Sequence, residues 1–422
     1  MNSRPADRSL AAASRILAFR IDELARVSDE QGRLTRTFLS PAMRRANDRV
    51  ADWMRQAGLV VREDSVGNLI GRQEAVGGEA RTLLLGSHLD TVRDAGRFDG
   101  ALGVLLPIVA LAELKRRGVG LPFAVEVIGF SEEEGVRFSS AYLGSKGYAT
   151  LLRSSDLGFK DSQGATVADA IARWNGRTDY ELPASSHEPG NLLGYLEVHI
   201  EQGPVLEHRG LSVGVVSGIA GQTRVQLSFG GSAGHAGTTP MRLRRDALAG
   251  AAEMILAVEK IARGSPQLVA TVGSVSAFPG AANVIPARAE CTLDVRHPRD
   301  RARKAALRRL RAQGAAIARR RGLRFSFDVT QDNGAVNCSP ALTAALARSV
   351  RAAQGRSVTL ASGAGHDAVV LSRMAPIAML FVRCRAGLSH HPDEHVDRAD
   401  LARALEVVVD FLTRLGSDKR FK

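Results

Sequence analysis

The sequence predicts an α/β protein, with a central, mostly parallel sheet flanked by helices and an inserted α+β unit. Apolar segments of strand length, such as 82–85 and 123–130, alternate with apolar segments of helical length, such as 101–117. This alternation is typical of parallel βαβ units. From about Gly218 the pattern changes to strands that alternate polar and apolar residues, and the first pattern returns near Leu342. The expected domains are the first part of the main domain at 1–218, the inserted domain at 219–330 and the second part of the main domain at 331–422.

Each element is predicted from the spacing of its apolar residues and from the glycines and prolines that bound it. Helices are expected at 14–27, 44–58, 101–117, 246–262, 342–354 and 399–415, with a further arginine-rich helix between 296 and 324. Strands are expected at 59–61, 68–70, 82–85, 123–130, 194–200, 225–229, 268–274, 289–295, 325–328 and 377–382.

Composition and charge limit the classes of function. The chain has 422 residues, 45% hydrophobic and 24% charged, which is ordinary for a globular protein with a full core. Much of its net charge of +13 lies in 296–324, where Leu307, Leu310 and Ile317 recur at helical spacing. We interpret this stretch as an amphipathic helix with a solvated basic face. Nucleic-acid binding is the alternative, but neither interleaved aromatic residues nor a known binding motif supports it.

Cysteine usage and hydropathy bear on the location of the protein. Cys291, Cys338 and Cys384 are far apart and lack CxxC spacing, which argues for a reducing compartment and against a disulfide framework or a structural zinc finger. The first residues are interrupted by charges and lack the apolar core of a signal peptide. The longest apolar run, 101–112, is too short to span a bilayer. We expect a cytoplasmic protein with no membrane partner.

Candidate metal ligands follow the predicted strands, each just beyond a strand end. They are His88 and Asp99, the carboxylates at 132–134, His199, and either His390 or His391. One His–Asp pair alone would be interpreted as incidental, but repeated placement at the carboxyl ends of strands indicates a shared site. Adjacent carboxylates after a buried strand repel one another unless a cation compensates. Three imidazoles and two carboxylates suit two divalent ions about 3.5–4 Å apart that share one bridging carboxylate.

Seven ordered segments carry a more specific pattern. They read GSHLDTV with FDG, SEEEGVRF, HIEQGPVLE, GHAGTTPM, NVIP, SGAGHDA and FVRCRAGLSHHPDE. Together they resemble the hydantoinase/carbamoylase family of metal-dependent amidases, within the wider carboxypeptidase and aminoacylase superfamily of two-metal hydrolases. The resemblance runs from about Arg36 to the C-terminus. It implies a catalytic α/β domain with an inserted domain that serves as dimerisation domain and lid.

The resemblance implies roles for the residues of the first two segments. His88 would be a ligand to one ion, and Asp90 would hold the His88 imidazole through its second nitrogen. Asp99 would be the bridging carboxylate. Glu133 would act as the general base, and Glu134 would be a metal ligand.

Two more ligands are implied by later segments. His199, in HIEQG, matches the ligand that distinguishes this family from peptidase relatives, which usually have an acid there. The last ligand matches the histidine after serine in the SHxP pattern, which is His390. His391 is the alternative, because it stands where asparagine is common in the family.

The resemblance also implies substrate contacts. Gln202 resembles a residue that contacts the ureido group, and His235 resembles the histidine that stabilises the tetrahedral oxyanion. In relatives that histidine comes from the inserted domain of the partner subunit, which implies a homodimer. Asn283 and Arg296 resemble residues that hold the substrate carboxylate, a task to which a guanidinium is well suited. Without the resemblance, His235 would be interpreted as a flexible loop residue and Arg296 as a surface arginine.

The implied activity is hydrolysis of the carbamoyl amide of an N-carbamoyl-L-amino acid to the amino acid, ammonia and carbon dioxide. Hydrolysis of allantoate is the alternative, which the segment IAGQTR at 219–224 resembles. β-Ureidopropionate and ureidoglycolate are further substrates within the family. An aminoacylase or peptidase is disfavoured by His199, and a non-catalytic homologue by the complete set of ligands and base.

The implied cofactors are two divalent ions per subunit. Imidazole and carboxylate ligands suit Zn²⁺ or Mn²⁺, with Co²⁺ or Ni²⁺ as alternatives. We also expect the inserted domain to close over the substrate before chemistry.

Overall fold

The structure, a computed structural model, describes 5–418 except 79–80, 178, 180–186 and 189, with side chains from Ser9 onward. The helices are α1 Pro5–Leu24, α2 Pro41–Ala57, α3 Ala101–Arg116, α4 Leu143–Tyr148, α5 Ser154–Leu157, α6 Val167–Trp174, α7 Val205–His208, α8 Ala247–Arg263, α9 Asp300–Arg321, α10 Pro340–Gln354, α11 Ala368–Leu371 and α12 Arg398–Ser417. The strands are β1 Val60–Glu63, β2 Leu69–Gln73, β3 Thr82–His88, β4 Ala124–Phe130, β5 Leu192–Ile200, β6 Val213–Ile219, β7 Gly221–Gly230, β8 Gly234–His235, β9 Val269–Phe278, β10 Val284–Ile285, β11 Arg288–His297, β12 Arg324–Asn333, β13 Val336–Asn337, β14 Thr359–Ser362 and β15 Ile377–Val382.

A mostly parallel central sheet confirms the predicted α/β class. Its strand order is β1-β2-β4-β3-β5-β15-β6-β13, with β14 paired to β6. The inner strands β4, β3, β5 and β15 are mutually parallel, whereas β2 and β6 join them in antiparallel orientation. Strands β3, β4 and β15 are buried along their whole length, because their continuous apolar residues suit a parallel sheet covered by helices. The carboxyl ends of the four parallel strands therefore share one edge of the sheet.

Helix α1 begins at Pro5 instead of residue 14, and α2 and α10 begin earlier than their apolar spacing predicted, each at a Ser-Pro pair. The Ser40 hydroxyl accepts a hydrogen bond from the Met43 N–H at 3.1 Å, and Pro41 takes the first helical position of α2. Ser339 and Pro340 play the same roles at the start of α10. Serine satisfies a free N–H at the helix start, and proline has no N–H that needs a partner.

The chain divides into two compact units. The main unit consists of Met1–Ser217, Asn337–Leu360 and Gly365–Lys422, and the inserted unit of Gly218–Val336 with Ala361–Ala364. The inserted unit extends past the expected limit at residue 330, because β12 continues to Asn333 and stays paired with Gln222 of β7. In the part of the chain that the structure describes, no helix has the length and apolar character needed to cross a membrane.

The inserted unit is built on an antiparallel sheet with the order β12-β7-β11-β9. Val225, Leu227 and Phe229 of β7 are buried at every second position, as expected for a sheet with one covered face. These residues share a core with α8 and α9, including Met254 and Leu310. The arginine-rich stretch predicted as an amphipathic helix is α9, which places its apolar residues in this core.

Arg36 is a buried cation that ties three segments of the main unit together. Its side chain is 1% exposed and donates hydrogen bonds to the carbonyls of Leu89 at 2.6 Å, Val27 at 3.0 Å and Leu24 at 3.2 Å. Burial lowers the pKa of Arg36 to about 10, while the carboxylates of Asp90 and Asp29 oppose that shift. The guanidinium therefore stays charged at neutral pH.

Replacing Arg36 with methionine is expected to lower the free energy of unfolding by about 3 kcal/mol, because buried carbonyl groups lose their donor. Urea unfolding of the purified protein would measure the change. Arg33→Met is the matched control, since Arg33 is exposed and its loss should change stability by less than about 0.5 kcal/mol. Equal unfolding midpoints for the two variants would contradict the structural role of Arg36.

Candidate metal centre

The candidate ligands lie where the parallel strands end. His88 is the last residue of β3, and His199 is the penultimate residue of β5. Asp99 lies just before α3, and the acidic turn 132–134 follows β4. The structure therefore brings these ligands together because the β3, β4 and β5 ends share one edge of the sheet.

Asp99 lies between two groups of ligands. Its Oδ1 is 3.1 Å from Nε2 of His199 and 3.8 Å from Nε2 of His88. Its Oδ2 is 3.1 Å from Nε2 of His390, which in turn is 3.4 Å from Oε1 of Glu134. The two carboxylate oxygens thus face different histidines, as a bridging ligand would.

The donor atoms fit two divalent cations. The ligand atoms of His88, Asp99 and His199 lie within 4.8 Å of one another, and so do those of Asp99, Glu134 and His390. Ligands bound at about 2.1 Å in tetrahedral geometry lie roughly 3.4 Å apart, close to these spacings.

The hydrogen bonds of the His88 and His199 rings also suit the binding of cations. Nδ1 of His88 lies 2.9 Å from the carbonyl oxygen of Asp90, and Nδ1 of His199 lies 3.0 Å from that of Ile200. If each Nδ1 carries the proton, each Nε2 presents a lone pair to Asp99. A lone pair facing a carboxylate is repulsive unless a cation or a proton lies between them.

The structure distinguishes the two neighbouring histidines of the last segment. Nε2 of His390 faces Asp99 and Glu134, and the His390 backbone is in the left-handed region with φ 56°. Nδ1 of His391 instead accepts a hydrogen bond from the Asp393 N–H at 3.1 Å. His390 is therefore the one that lies with the other ligands.

Asp90 contacts both the His88 ring and the acidic turn. Its carboxylate lies 3.5 Å from Nδ1 of His88, farther than its own carbonyl oxygen. The carboxylate accepts hydrogen bonds from the N–H groups of Glu133 at 2.9 Å and Glu134 at 3.1 Å. Asp90 therefore fixes the acidic turn with its side chain, while its carbonyl orients the imidazole.

Burial and mutual repulsion govern protonation in the acidic turn. Burial, reinforced by Glu134 and opposed by His88, raises the pKa of Glu133 well above its ordinary value. Burial and the charge of Asp99 raise the pKa of Glu134 to about 7. Carboxylates crowded in this way favour the binding of a cation, which would compensate their charge.

Glu394 and Ser389 belong to this site but were missed by sequence reasoning. Oε1 of Glu394 accepts hydrogen bonds from the N–H groups of Phe98 at 2.7 Å and Asp99 at 3.1 Å. The Ser389 hydroxyl lies 3.0 Å from Oε2 of Glu394 and 3.2 Å from Oδ2 of Asp99. Both residues stand in the segment FVRCRAGLSHHPDE, but their role depends on contacts with a loop almost three hundred residues earlier.

Gln202 lies beside the bridging carboxylate. Its Nε2 is 3.3 Å from Oδ2 of Asp99, 3.2 Å from the Ser389 hydroxyl and 3.4 Å from Nε2 of His390. The Gln202 backbone is in the left-handed region with φ 53°, which a side chain disfavours. The amide is thus held next to the candidate ligands.

The other three predicted substrate contacts lie in the inserted unit. His235 pairs with Val284 between β8 and β10, and the Ala236 N–H donates to the Asn283 carbonyl at 2.8 Å. Nδ1 of His235 accepts a hydrogen bond from the Gly237 N–H at 3.1 Å, so its proton is on Nε2. His235 and the residues around Asn283 therefore lie side by side where β8 pairs with β10.

Arg296 lies on a different element, strand β11. It holds Asp294 through two hydrogen bonds of 2.8 and 3.1 Å and donates a third to the Gly363 carbonyl at 2.6 Å. Arg224 also lies 3.4 Å from Asp294, so two cations share one carboxylate on this face of the sheet. The excess positive charge suits an anionic ligand.

Gly100 leaves room for the His88 ring. It has φ 65°, and a Cβ at this position would collide with the imidazole. Replacing Gly100 with alanine is expected to displace the ring and weaken metal binding by roughly 10- to 100-fold, the usual effect of disturbing the support of a ligand. Competition with a chromophoric chelator would measure the affinity.

Gly118→Ala is the control for backbone strain in that experiment. Gly118 has φ 70°, but a Cβ there would meet no atom within 4 Å. Unchanged metal affinity in Gly118→Ala with weakened affinity in Gly100→Ala would assign the effect to His88. Equal affinities in both variants would show that the ring tolerates the added methyl group.

Comparisons with known proteins agree on one family of hydrolases. The profile of Peptidase family M20/M25/M40 matches residues 84–414. The chain is 42% identical to an allantoate deiminase from Arabidopsis thaliana, over 93% of this chain and 81% of that protein. It is 40% identical to an N-carbamoyl-L-amino acid amidohydrolase from Geobacillus stearothermophilus, over 94% of this chain and 97% of that protein.

A solved structure agrees with the sequence relatives. The crystal structure of an amidase of the hydantoinase/carbamoylase family from Burkholderia multivorans superposes with a TM-score of 0.89 and 32% identity. The superposition covers 95% of the present chain and 97% of the Burkholderia multivorans chain.

Proposed function

The chain belongs to the M20/M25/M40 peptidase family and to its hydantoinase/carbamoylase amidases, and from this membership we propose that it hydrolyses the carbamoyl amide of an N-carbamoyl-L-amino acid. The products are the amino acid, ammonia and carbon dioxide. The observation that carries the proposal is the position of Asp99, whose Oδ1 lies 3.1 Å from His199 and whose Oδ2 lies 3.1 Å from His390. The chain is thus a hydrolase acting on amide C–N bonds.

The main unit supplies the residues that would hold two divalent ions. His88, Asp99 and His199 would hold one, and Asp99, Glu134 and His390 the other. Bound there, the ions would polarise the carbamoyl oxygen and lower the pKa of an attacking water. Zn²⁺ and Mn²⁺ are the proposed ions, with Co²⁺ and Ni²⁺ as alternatives for this ligand set.

Glu133 is the proposed general base. Its carboxylate lies with the imidazole of His88 and the carboxylate of Glu134, and the donor atoms of the three residues are within 4.8 Å of one another. Because its pKa is raised, Glu133 can accept a proton from the attacking water and return it to the leaving nitrogen. Ammonia then leaves, and the carbamate that remains decomposes to carbon dioxide and the free amine.

Four side chains are proposed to bind substrate, on the strength of the resemblance and of their local chemistry. Gln202 would donate its amide N–H to the ureido oxygen. His235, with its proton on Nε2, would stabilise the oxyanion. Asn283 and Arg296 would hold the carboxylate of the substrate.

A homodimer through the inserted unit is a further proposal. Strand β9 is at the edge of its sheet and leaves Val269, Val275 and Phe278 exposed. Exposed apolar edge strands are sites of association unless they are covered. Val275→Lys is expected to convert a dimer to a monomer in analytical ultracentrifugation, while Val329→Lys on the opposite edge strand, β12, should leave the dimer intact. A wild-type monomer would contradict the proposal.

Allantoate is the second candidate substrate. The chain is 42% identical to the Arabidopsis thaliana allantoate deiminase and 40% identical to the carbamoylase from Geobacillus stearothermophilus, so identity favours neither strongly. The segment IAGQTR, in which Gln222 and Arg224 both contact Asp294, resembles the allantoate branch.

Ammonia release with added Mn²⁺ would test the proposed activity. The substrates are N-carbamoyl-L-alanine, N-carbamoyl-L-methionine, allantoate and N-carbamoyl-β-alanine. We expect the highest kcat/KM with an N-carbamoyl-L-amino acid, and a higher value with allantoate would select the second candidate. Ammonia release from none of the four would overturn the proposed function.

The proposed location is the cytoplasm. Cys291, Cys338 and Cys384 are all free and buried, which supports a reducing compartment.

A further inference from the structure

Tyr142 is held in a strained conformation directly after the acidic turn. It precedes α4 with φ 68° and ψ 24°, in the left-handed region that residues with a side chain rarely adopt. Its N–H donates a hydrogen bond to the carbonyl of Glu133 at 3.2 Å. Strained residues of this kind cluster at functional sites, where the surrounding structure maintains them. The backbone of the proposed base thus fixes the position from which the tyrosine side chain extends.

The Tyr142 hydroxyl lies next to the proposed base. A Cβ built on Gly365 would overlap this hydroxyl, and the same point is 3.9 Å from Oε1 of Glu133. The phenol oxygen therefore lies within about 6 Å of Oε1 of Glu133, and glycine at 365 leaves the space that it occupies. All three residues belong to the main unit.

The hydroxyl is a hydrogen-bond donor. Burial, followed by the negative charges of Glu133 and Asp367, raises the pKa of Tyr142 well above its ordinary value. The phenol is therefore neutral at physiological pH and keeps its proton. Within the described residues we find no hydrogen bond made by the Tyr142 hydroxyl, so the donor is available to a ligand.

We propose that Tyr142 is a specificity-determining residue, whose hydroxyl donates a hydrogen bond to a carbonyl oxygen on the substrate group beside the scissile ureido. The inference rests on the proposed function, because the ligand beside Glu133 is taken to be a ureido acid. The half-buried Tyr142 hydroxyl loses its contact with water when substrate binds. A substrate with an apolar side chain would therefore leave this donor unpaired. A substrate that offers an amide or ureido carbonyl would satisfy it. Sites built around such a hydrogen bond discriminate against analogues that lack the partner.

The test compares two substrates of nearly the same shape, N-carbamoyl-L-asparagine and N-carbamoyl-L-leucine. Only the first carries a side-chain carbonyl. In Tyr142→Phe we expect kcat/KM to fall about tenfold for the asparagine compound and less than about twofold for the leucine compound, as the loss of one hydrogen bond implies. Allantoate, which carries a second ureido carbonyl, should behave like the asparagine compound. Metal content and Tm of Tyr142→Phe should equal those of the wild type.

A second variant displaces the hydroxyl without removing it. Gly365→Ala places a methyl group where the hydroxyl lies, so the same loss of preference for the asparagine compound is expected. Tyr148→Phe is the control, because the Tyr148 hydroxyl already donates to Oε2 of Glu126 at 2.8 Å. That variant should leave the ratio of the two kcat/KM values unchanged.

The outcomes separate the inference from the function on which it rests. If the wild type hydrolyses the substrates and Tyr142→Phe lowers kcat/KM equally for both side chains, or for neither, the role of Tyr142 is overturned while the proposed function stands. If the wild type releases ammonia from none of the three compounds, the proposed function is overturned, and the inference falls with it.

Discussion

Replacing Asp99 with alanine is expected to remove both metal ions and to lower kcat/KM at least about a thousandfold, equivalent to about 4 kcal/mol of barrier. Asp99 is the residue whose carboxylate belongs to both ligand groups, with Oδ1 near His199 and Oδ2 near His390. Loss of any other single ligand would leave one group complete. Elemental analysis of the purified variant and ammonia release would measure the two effects.

Asp393→Ala is the matched control for that experiment. Asp393 is an exposed aspartate three residues from His390, and its side chain lies near His391 instead of the ligands. We expect two ions per chain and wild-type turnover in this variant. Two ions per chain in Asp99→Ala as well would contradict the bridging role.

Replacing Glu133 with glutamine is expected to lower kcat by about 10²- to 10⁴-fold, the usual contribution of a general base, while both ions are retained. Glutamine keeps the shape of the side chain and, through its backbone N–H, the hydrogen bond to Asp90. The amide cannot accept the proton of the attacking water. Elemental analysis and initial-rate kinetics of the same preparation would test both parts.

Glu134→Gln provides the contrasting variant. Glu134 lies with Asp99 and His390 among the candidate ligands, so its replacement should lower both metal content and kcat. Glu133 also lies close to His88 and Glu134, and this arrangement would allow it to be a ligand instead. Metal loss from Glu133→Gln equal to that from Glu134→Gln would assign Glu133 to the ligand set and refute its role as base.

The sequence predicted that the candidate ligands would lie together, because a parallel sheet orders its strand ends. His88, His199 and the 132–134 turn each follow an apolar segment, and parallel strands place such positions along one edge. This rule needs no knowledge of distant contacts. It also explains why the α/β class was predicted correctly from the alternation of strands and helices.

Strand ends do not predict the role of residues that act through contacts between loops distant in sequence. Glu394 and Ser389 act on the backbone and carboxylate of Asp99, and no periodic pattern links the two loops. Asp90 was expected to hold the His88 imidazole, and the strand pattern did not indicate that its side chain also binds the N–H groups of the acidic turn. Tyr142 stands outside every motif, and its position follows from a left-handed backbone and from a glycine more than two hundred residues later.

The hydrogen bonds of Glu394 have a consequence for synthesis of the protein. They join the loop before α3 to a residue 295 positions further along the chain. During translation, β3 and α3 emerge long before Glu394 and His390 are made, and contacts so distant in sequence form late. A ribosome-bound nascent chain therefore carries His88 and Asp99 without the groups that fix them. The candidate metal centre can therefore be completed only after His390 and Glu394 have left the ribosome.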